Sequence, residues 1–241
     1  MRKTLMVALV ALSSMAYAQT FFESFDTGPA GFSNGATGTF GNSAGGDAMA
    51  FASGTWHALN NSSPLGVLGW FSSNSVFAPN SGTGQLNANF DNTTGGTGTI
   101  DNYMMSPVRT FNNGDTISFF TRTPTGSIWP DRTHLKLSLN GASTNVADFS
   151  TTLVSVNSGL GGSVYPEVWT LFGATISGLG GPTSGRFAFN YNVTDGGPTG
   201  VNSNFIGIDD VTYTAIPEPG TMIALGLGIS ALAARRRRKL A

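Results

Sequence analysis

Few side chains in this chain have the types and spacing that covalent chemistry needs. His57 and His134 are the only histidines, and there is no cysteine. That excludes a disulfide framework, a zinc–thiolate centre and a cysteine nucleophile, and it leaves too few ligands for a multi-histidine metal site. A serine nucleophile needs a histidine base that is itself held by an acid. Neither histidine has an acid at a suggestive spacing, and no Gly-x-Ser-x-Gly turn occurs. Glycoside hydrolysis needs two carboxylates facing one bond. Glu23 and Asp26 are three residues apart, which in a strand points them to opposite faces, and Glu167 has no acidic neighbour in sequence. The glycine clusters lack the Lys-Ser/Thr and following helix of a phosphate loop. No enzyme is expected, and a glycoside hydrolase is the reading with least support.

Binding chemistry is better represented. Of the four tryptophans, Trp56, Trp70, Trp129 and Trp169, the one in Ser127-Ile128-Trp129-Pro130 reads as a loop residue. An exposed indole there is the candidate glycan contact, because a flat apolar ring with one polar handle can stack on a sugar. Trp169, in Val168-Trp169-Thr170-Leu171, is expected in the core. Asp209 and Asp210 are adjacent at the end of an apolar strand and should point to opposite faces. A carboxylate beside a core is costly unless it is paired or bound to a cation. Calcium suits such a place, since it takes six to eight oxygen ligands; Arg186 or turn amides are the alternative partners for Asp209.

These residues need a scaffold, and composition specifies its class. Gly, Ser, Thr and Asn make up nearly half of the 241 residues, and only 10% are charged. Such a mixture disfavours long helices. With 40% hydrophobic residues and 17 Phe, the chain is not disordered. Alternation is explicit at Leu135, Leu137 and Leu139, at Ile117 and Phe119, at Phe187, Phe189 and Tyr191, and through Phe205, Ile206, Ile208, Val211 and Tyr213. Turns are marked at Asn113-Gly114-Asp115, Asn140-Gly141, Gly180-Gly181-Pro182 and Gly196-Gly197-Pro198. Period-2 segments between such turns predict a two-sheet antiparallel β-sandwich over residues 19–214, almost free of helix. Phe187 and Phe189 should lie in a central strand.

The two ends read as sorting signals. Residues 1–18 place Arg2 and Lys3 before the apolar run Leu5 to Leu12 and end in Ala16-Tyr17-Ala18. That order is a signal peptide cleaved before Gln19, so the protein is expected to be exported. Near the other end, residues 215–219 form a linker containing Pro217-Glu218-Pro219. Residues 220–234 carry no charge, and Arg235, Arg236, Arg237 and Arg238 open the basic tail 235–241. A 15-residue helix is about 22 Å long, short of the ~30 Å hydrocarbon core, but snorkelling arginines and bilayer thinning can make up the difference. Basic residues after an apolar stretch stay cytoplasmic. The segment 220–234 is therefore expected to be a transmembrane helix, with the arginines as its membrane stop. Residues 19–216 hold five basic and twelve acidic side chains, a formal charge of −7. Such a body repels nucleic acid, which is not expected as a partner.

The tail, from Ile216 to Leu240, resembles the PEP-CTERM sorting tail: Pro-Glu-Pro, a short Gly/Ala-rich apolar helix, then an arginine cluster. The resemblance implies processing by an exosortase-type membrane enzyme, a Gram-negative source, and transient inner-membrane anchoring before a surface or matrix destination. The body resembles the choice-of-anchor J domain, similar to cleaved-adhesin and MAM-like jelly rolls. The blocks that carry this are Phe22-Glu23-Ser24-Phe25-Asp26, Gly69-Trp70-Phe71, Ala88-Asn89-Phe90, Met105-Ser106-Pro107, Ile117 to Arg122, Pro130-Asp131-Arg132, Gly185 to Phe189, and Ile206-Gly207-Ile208-Asp209-Asp210-Val211. It implies a jelly-roll-like sandwich in which acids near the first and last strands can share a structural Ca2+. The matching residues are Glu23 or Asp26 with Asp209, and more weakly Asp47. Two functions follow as expectations: a non-catalytic exported surface or extracellular-matrix protein, or a carbohydrate-binding, lectin-like module with a polysaccharide partner.

Overall fold

The computed structural model describes residues 20–32, 40–43 and 45–216. The signal segment, Pro217-Glu218-Pro219, the apolar run and the arginine cluster lie outside the described residues. Twelve strands follow in chain order: β1 (Phe21–Glu23), β2 (Asp47–Phe51), β3 (Gly54–Asn60), β4 (Leu86–Asn89), β5 (Gly98–Met105), β6 (Arg109–Phe111), β7 (Thr116–Arg122), β8 (Thr133–Ser138), β9 (Thr151–Val156), β10 (Thr170–Thr175), β11 (Thr183–Gly196) and β12 (Phe205–Thr214). Helix among the described residues is limited to short 3-10 turns such as Phe90–Asn92 and Val146–Asp148.

The strands form two antiparallel sheets. The smaller runs β1-β12-β7-β10, with β4 also on β12. Along that edge of β12, β4 pairs with Phe205–Ile208 and β1 with Val211–Tyr213. The larger sheet runs β2-β3-β5-β11-β8-β9, with β6 on the start of β11. The chain folds this way because each strand has one apolar face to bury against the other sheet. Ile117, Phe119 and Thr121 of β7 are buried while their neighbours are not, and β8 buries Leu135 and Leu137 in the same manner.

The core is aromatic. Phe189 lies 4.9 Å from Phe119 across the two sheets and 6.3 Å from Trp56, between ring centroids. Phe187 lies 5.7 Å from Trp56, and all four rings are fully buried. The Phe119–Phe189 and Trp56–Phe187 pairs meet edge-to-face and the Trp56–Phe189 pair is stacked; such contacts add to the area they bury.

Three expectations are corrected by the fold. Leu139 does not share the face of Leu135 and Leu137: β8 stops at Ser138, the chain enters a turn, and Leu139 is exposed. Trp169 is not in the core. It is half-buried on the outer face of the small sheet, edge-on to Phe77 at 5.6 Å, with its indole N–H donated to Ala78 O. Gly207 makes room for it, since a Cβ there would stand 2.7 Å from both rings. Asp209 and Asp210 do not project oppositely. Asp210 is left-handed (φ 50°) at a bulge in the β12–β7 pairing, and both side chains grip the same loop at Asn80 and Ser81. A bulge breaks alternation because it inserts an extra residue into one strand.

Candidate functional site

The β7–β8, β9–β10 and β11–β12 loops meet at one end of the sandwich, and Trp129 stands among them with 46% of its surface exposed. The residues around it form a shallow depression lined by Thr123, Ser127, Pro130, Ser163, Tyr165 and Glu167. They come together although they span more than forty positions, because β7, β10, β11 and β12 all begin or end at this pole. Ile128, Val164, Val168 and Val201 are exposed in the same three loops. With the exposed Trp129 ring they make the loops of this pole richer in exposed apolar side chains than a solvated surface requires.

A buried carboxylate sets the loops. Asp131 accepts the Tyr191 hydroxyl and the Asn204 N–H at 2.6 and 2.8 Å on one oxygen, and the Thr123 hydroxyl at 2.6 Å on the other. Its backbone carbonyl accepts Asn157 Nδ2. Asn204 Nδ2 donates to Ser127 Oγ, which donates to Trp129 O, and Ser203 N donates to Pro130 O. The Trp129 loop is thus bonded to the β11–β12 loop, and Thr123 N ties it to Pro166. Complete burial pushes the Asp131 carboxyl above the usual carboxylate range, with the three donors opposing. Burial also raises the Tyr165 and Tyr191 phenols, so both stay neutral donors. Such fully bonded buried networks rigidify what they hold.

The other sequence-selected residues lie elsewhere. His57 sits on β3 with Nε2 3.0 Å from Gly45 O. His134 lies on the outer face of the large sheet beside Ser155 Oγ, and burial, with Arg132 and Lys136 nearby, lowers its pKa to about 4. Neither has the hydrogen-bonded acid of a catalytic triad among its described contacts. Trp56 and Trp70 are fully buried. Arg186 reaches Ser106 O and Ala142 O rather than Asp209.

The acids matched to a calcium site all have other partners. Glu23, buried, accepts the N–H groups of Phe25 and Ser53. Asp26 accepts Thr83 N, Gly84 N and the Ser24 hydroxyl. Asp209 accepts Asn80 N, Ser81 N and Asp210 N, and burial with Asp210 nearby raises its pKa to about 7. Asp47 accepts Gly41 N and the Ser43 hydroxyl. Among the described residues no group of three or more His, Asp or Glu side chains is placed to hold a metal ion. The acids are tied to amides and hydroxyls of separate segments instead of converging on one point, and this arrangement does not present the six to eight oxygens that calcium takes. Melting of the body with calcium and with a chelator should give one midpoint. A rise of several degrees with calcium would show that the loop at Asn80–Gly84 opens to admit the ion.

A second cleft, of about 370 Å³, is lined by Phe25, Asp26, Ser72, Ser73, Asn74, Thr83 and Gly84. It is polar and its lining holds no exposed aromatic ring, which makes the Trp129 rim the stronger site.

Sequence reasoning placed Trp129 in an exposed loop, where it lies, but did not connect it with Ser163, Tyr165 and Glu167 or give Asp131 its buried role. Asp131 stood only in the Pro130-Asp131-Arg132 block and Glu167 only as an isolated acid, and the loops join only through long-range strand pairing.

Comparison with known proteins bears on both the tail and the body. Residues 215–238 match the PEP-CTERM protein-sorting motif. No curated protein matches the chain. Among solved structures, the K1 cleaved adhesin domain of Lys-gingipain from Porphyromonas gingivalis W83 is similar, with a TM-score of 0.51 at 18% identity, covering 82% of this chain and 98% of that one. The K2 cleaved adhesin domain of Lys-gingipain follows at 0.49 and 18%, covering 81% and 99%. A family 11 carbohydrate-binding module from Clostridium thermocellum gives 0.37 at 14%, covering 68% and 90%. The chain therefore carries a PEP-CTERM sorting motif behind an all-β sandwich with the fold of a cleaved adhesin domain.

Proposed function

We propose that this is an exported, non-catalytic surface or extracellular-matrix protein whose sandwich body binds a polysaccharide chain through the Trp129 rim. Residues 1–18 direct export and are removed. The uncharged segment 220–234, stopped by Arg235–Arg238, holds the chain in the inner membrane, and an exosortase-type enzyme then cuts near Pro217-Glu218-Pro219 and releases the body to the surface. The sorting motif over residues 215–238 supports this route. No helix of the described residues is long and apolar enough to cross a membrane.

The observation that carries the binding half is the Trp129 indole, nearly half exposed, on a loop whose backbone is held by the Ser127–Asn204–Asp131 bonds, and flanked by Ser163 and Glu167. A pyranose has an apolar face and a hydroxyl edge. The ring would take the face, and the hydroxyls and carboxylate would take the edge. The similar fold of the cleaved adhesin domain agrees with a body that works through its surface.

A glycan array on residues 19–216 tests the reading. Trp129→Ala should lower affinity for the bound glycan by roughly 30-fold, as expected for a ~2 kcal/mol hot spot. The melting midpoint should hardly move, because the ring is not core. Uniform silence across the array would leave a structural matrix component and remove the lectin-like role.

A further inference from the structure

Both ends of the body meet at the pole opposite Trp129. Phe21 of β1 lies opposite Tyr213 of β12. Just past β12, Ala215 N donates to Thr20 Oγ1 at 3.2 Å, and Ile216 N donates to Asp115 Oδ1 at 2.9 Å. Asp115 is fully buried, and its other oxygen accepts the Tyr213 hydroxyl at 2.5 Å and Asn112 N at 2.8 Å. The Ile216 side chain lies over Gly114, where a Cβ would stand 2.6 Å from Ile216 Cδ1. The chain is therefore fastened to the body up to the residue before Pro217.

Strand direction separates this clamp from the rim. Gly207 near the start of β12 faces Arg122, beside the Trp129 loop, whereas Thr214 at its end faces Thr116, beside the clamp. Ten residues of strand span about 33 Å. Only three residues, Pro217 to Pro219, separate the clamp from the uncharged run that begins at Gly220. Fully extended they reach about 11 Å at most.

We infer that, while the tail is uncut, the body stands on the membrane with Thr20, Asp115 and Ile216 toward the bilayer and the Trp129 rim pointing away. The rim is then the surface offered to a sugar polymer outside the membrane before release. This rests on the tail acting as the anchor. A net charge of −7 on the body keeps it from lying against anionic headgroups.

The absence of native cysteine makes the test clean. Ser177 and Val201 are both exposed, one in the β10–β11 loop at the clamp pole and one in the rim. Ser177→Cys and Val201→Cys, each labelled with a fluorophore, are placed in residues 19–241 and mixed with phosphatidylethanolamine–phosphatidylglycerol vesicles carrying a headgroup quencher. The label on Ser177→Cys should be quenched at least threefold more than the label on Val201→Cys. Equal quenching, or stronger quenching at the rim, overturns the orientation. Failure of residues 19–241 to join vesicles overturns the anchor, and the orientation with it. Neither readout depends on which glycan the rim binds.

Discussion

A Phe189→Ala body should lose about 3–5 kcal/mol of stability, the usual cost of removing a buried phenylalanine ring. Phe189 is fully buried on β11, the central strand of the larger sheet, between β5 and β8. Its ring meets Phe119 of the opposing sheet at 4.9 Å, and Phe187 and Trp56 at 6.0 and 6.3 Å. A domain of ordinary stability has only about 5–15 kcal/mol in all, so this one change should bring it near unfolding. Urea denaturation of residues 19–216 measures the effect. A midpoint equal to that of the parent would mean that the two sheets do not pack through this ring.

Asp131→Ala should cost roughly 2–6 kcal/mol, and Asp131→Asn much less. Alanine leaves the Tyr191 hydroxyl and the Asn204 N–H buried without an acceptor, at about 1–3 kcal/mol each. Asparagine keeps that acceptor. Its amide can donate to Thr123 Oγ1, and the Thr123 hydroxyl can turn to Phe205 O, already 2.9 Å away. The two variants also separate by pH. Burial raises the Asp131 carboxyl above its unfolded value of 3.8, so the folded state holds the proton more tightly. The stability from that proton is fully present below the unfolded value and is lost as pH rises through the raised one. Asp131→Asn cannot titrate and should lack this loss. Melting both variants from acid to neutral pH checks it, and parallel curves for the parent and Asp131→Asn would assign the pH dependence to another group. Since the Asp131 bonds hold the Trp129 loop, Asp131→Ala should weaken glycan binding along with stability.

Local pattern carried the all-β reading and the main core faces. Ile117, Phe119 and Thr121 bury alternately, as strand geometry alone dictates; Phe187, Phe189 and Tyr191 share one core face, but Ala188 and Asn190 between them are buried too, because β11 is covered on both faces. The C-terminal tail was legible for the same reason: Pro-Glu-Pro, an uncharged run and an arginine cluster lie in order along the chain, and residues 215–238 match a sorting motif. Trp129 was found because a proline and small polar residues around it mark a loop. What lay beyond reach was everything that depends on pairing between distant segments. Leu139 fell outside its strand because a turn began one residue earlier than the alternation implied. Trp169 alternates with the core but faces outward, since the β10–β7 register decides which face of that edge strand is buried. Asp209 and Asp210 grip one loop because a bulge, invisible to alternation, turns Asp210 left-handed. The acids matched to calcium found backbone amides from segments up to 129 positions away. The rim around Trp129 and the clamp at Asp115 exist only once β12 is paired with β7 and the sheet that holds β11 is packed against them, because long-range pairing, not local propensity, chooses which loops share a pole.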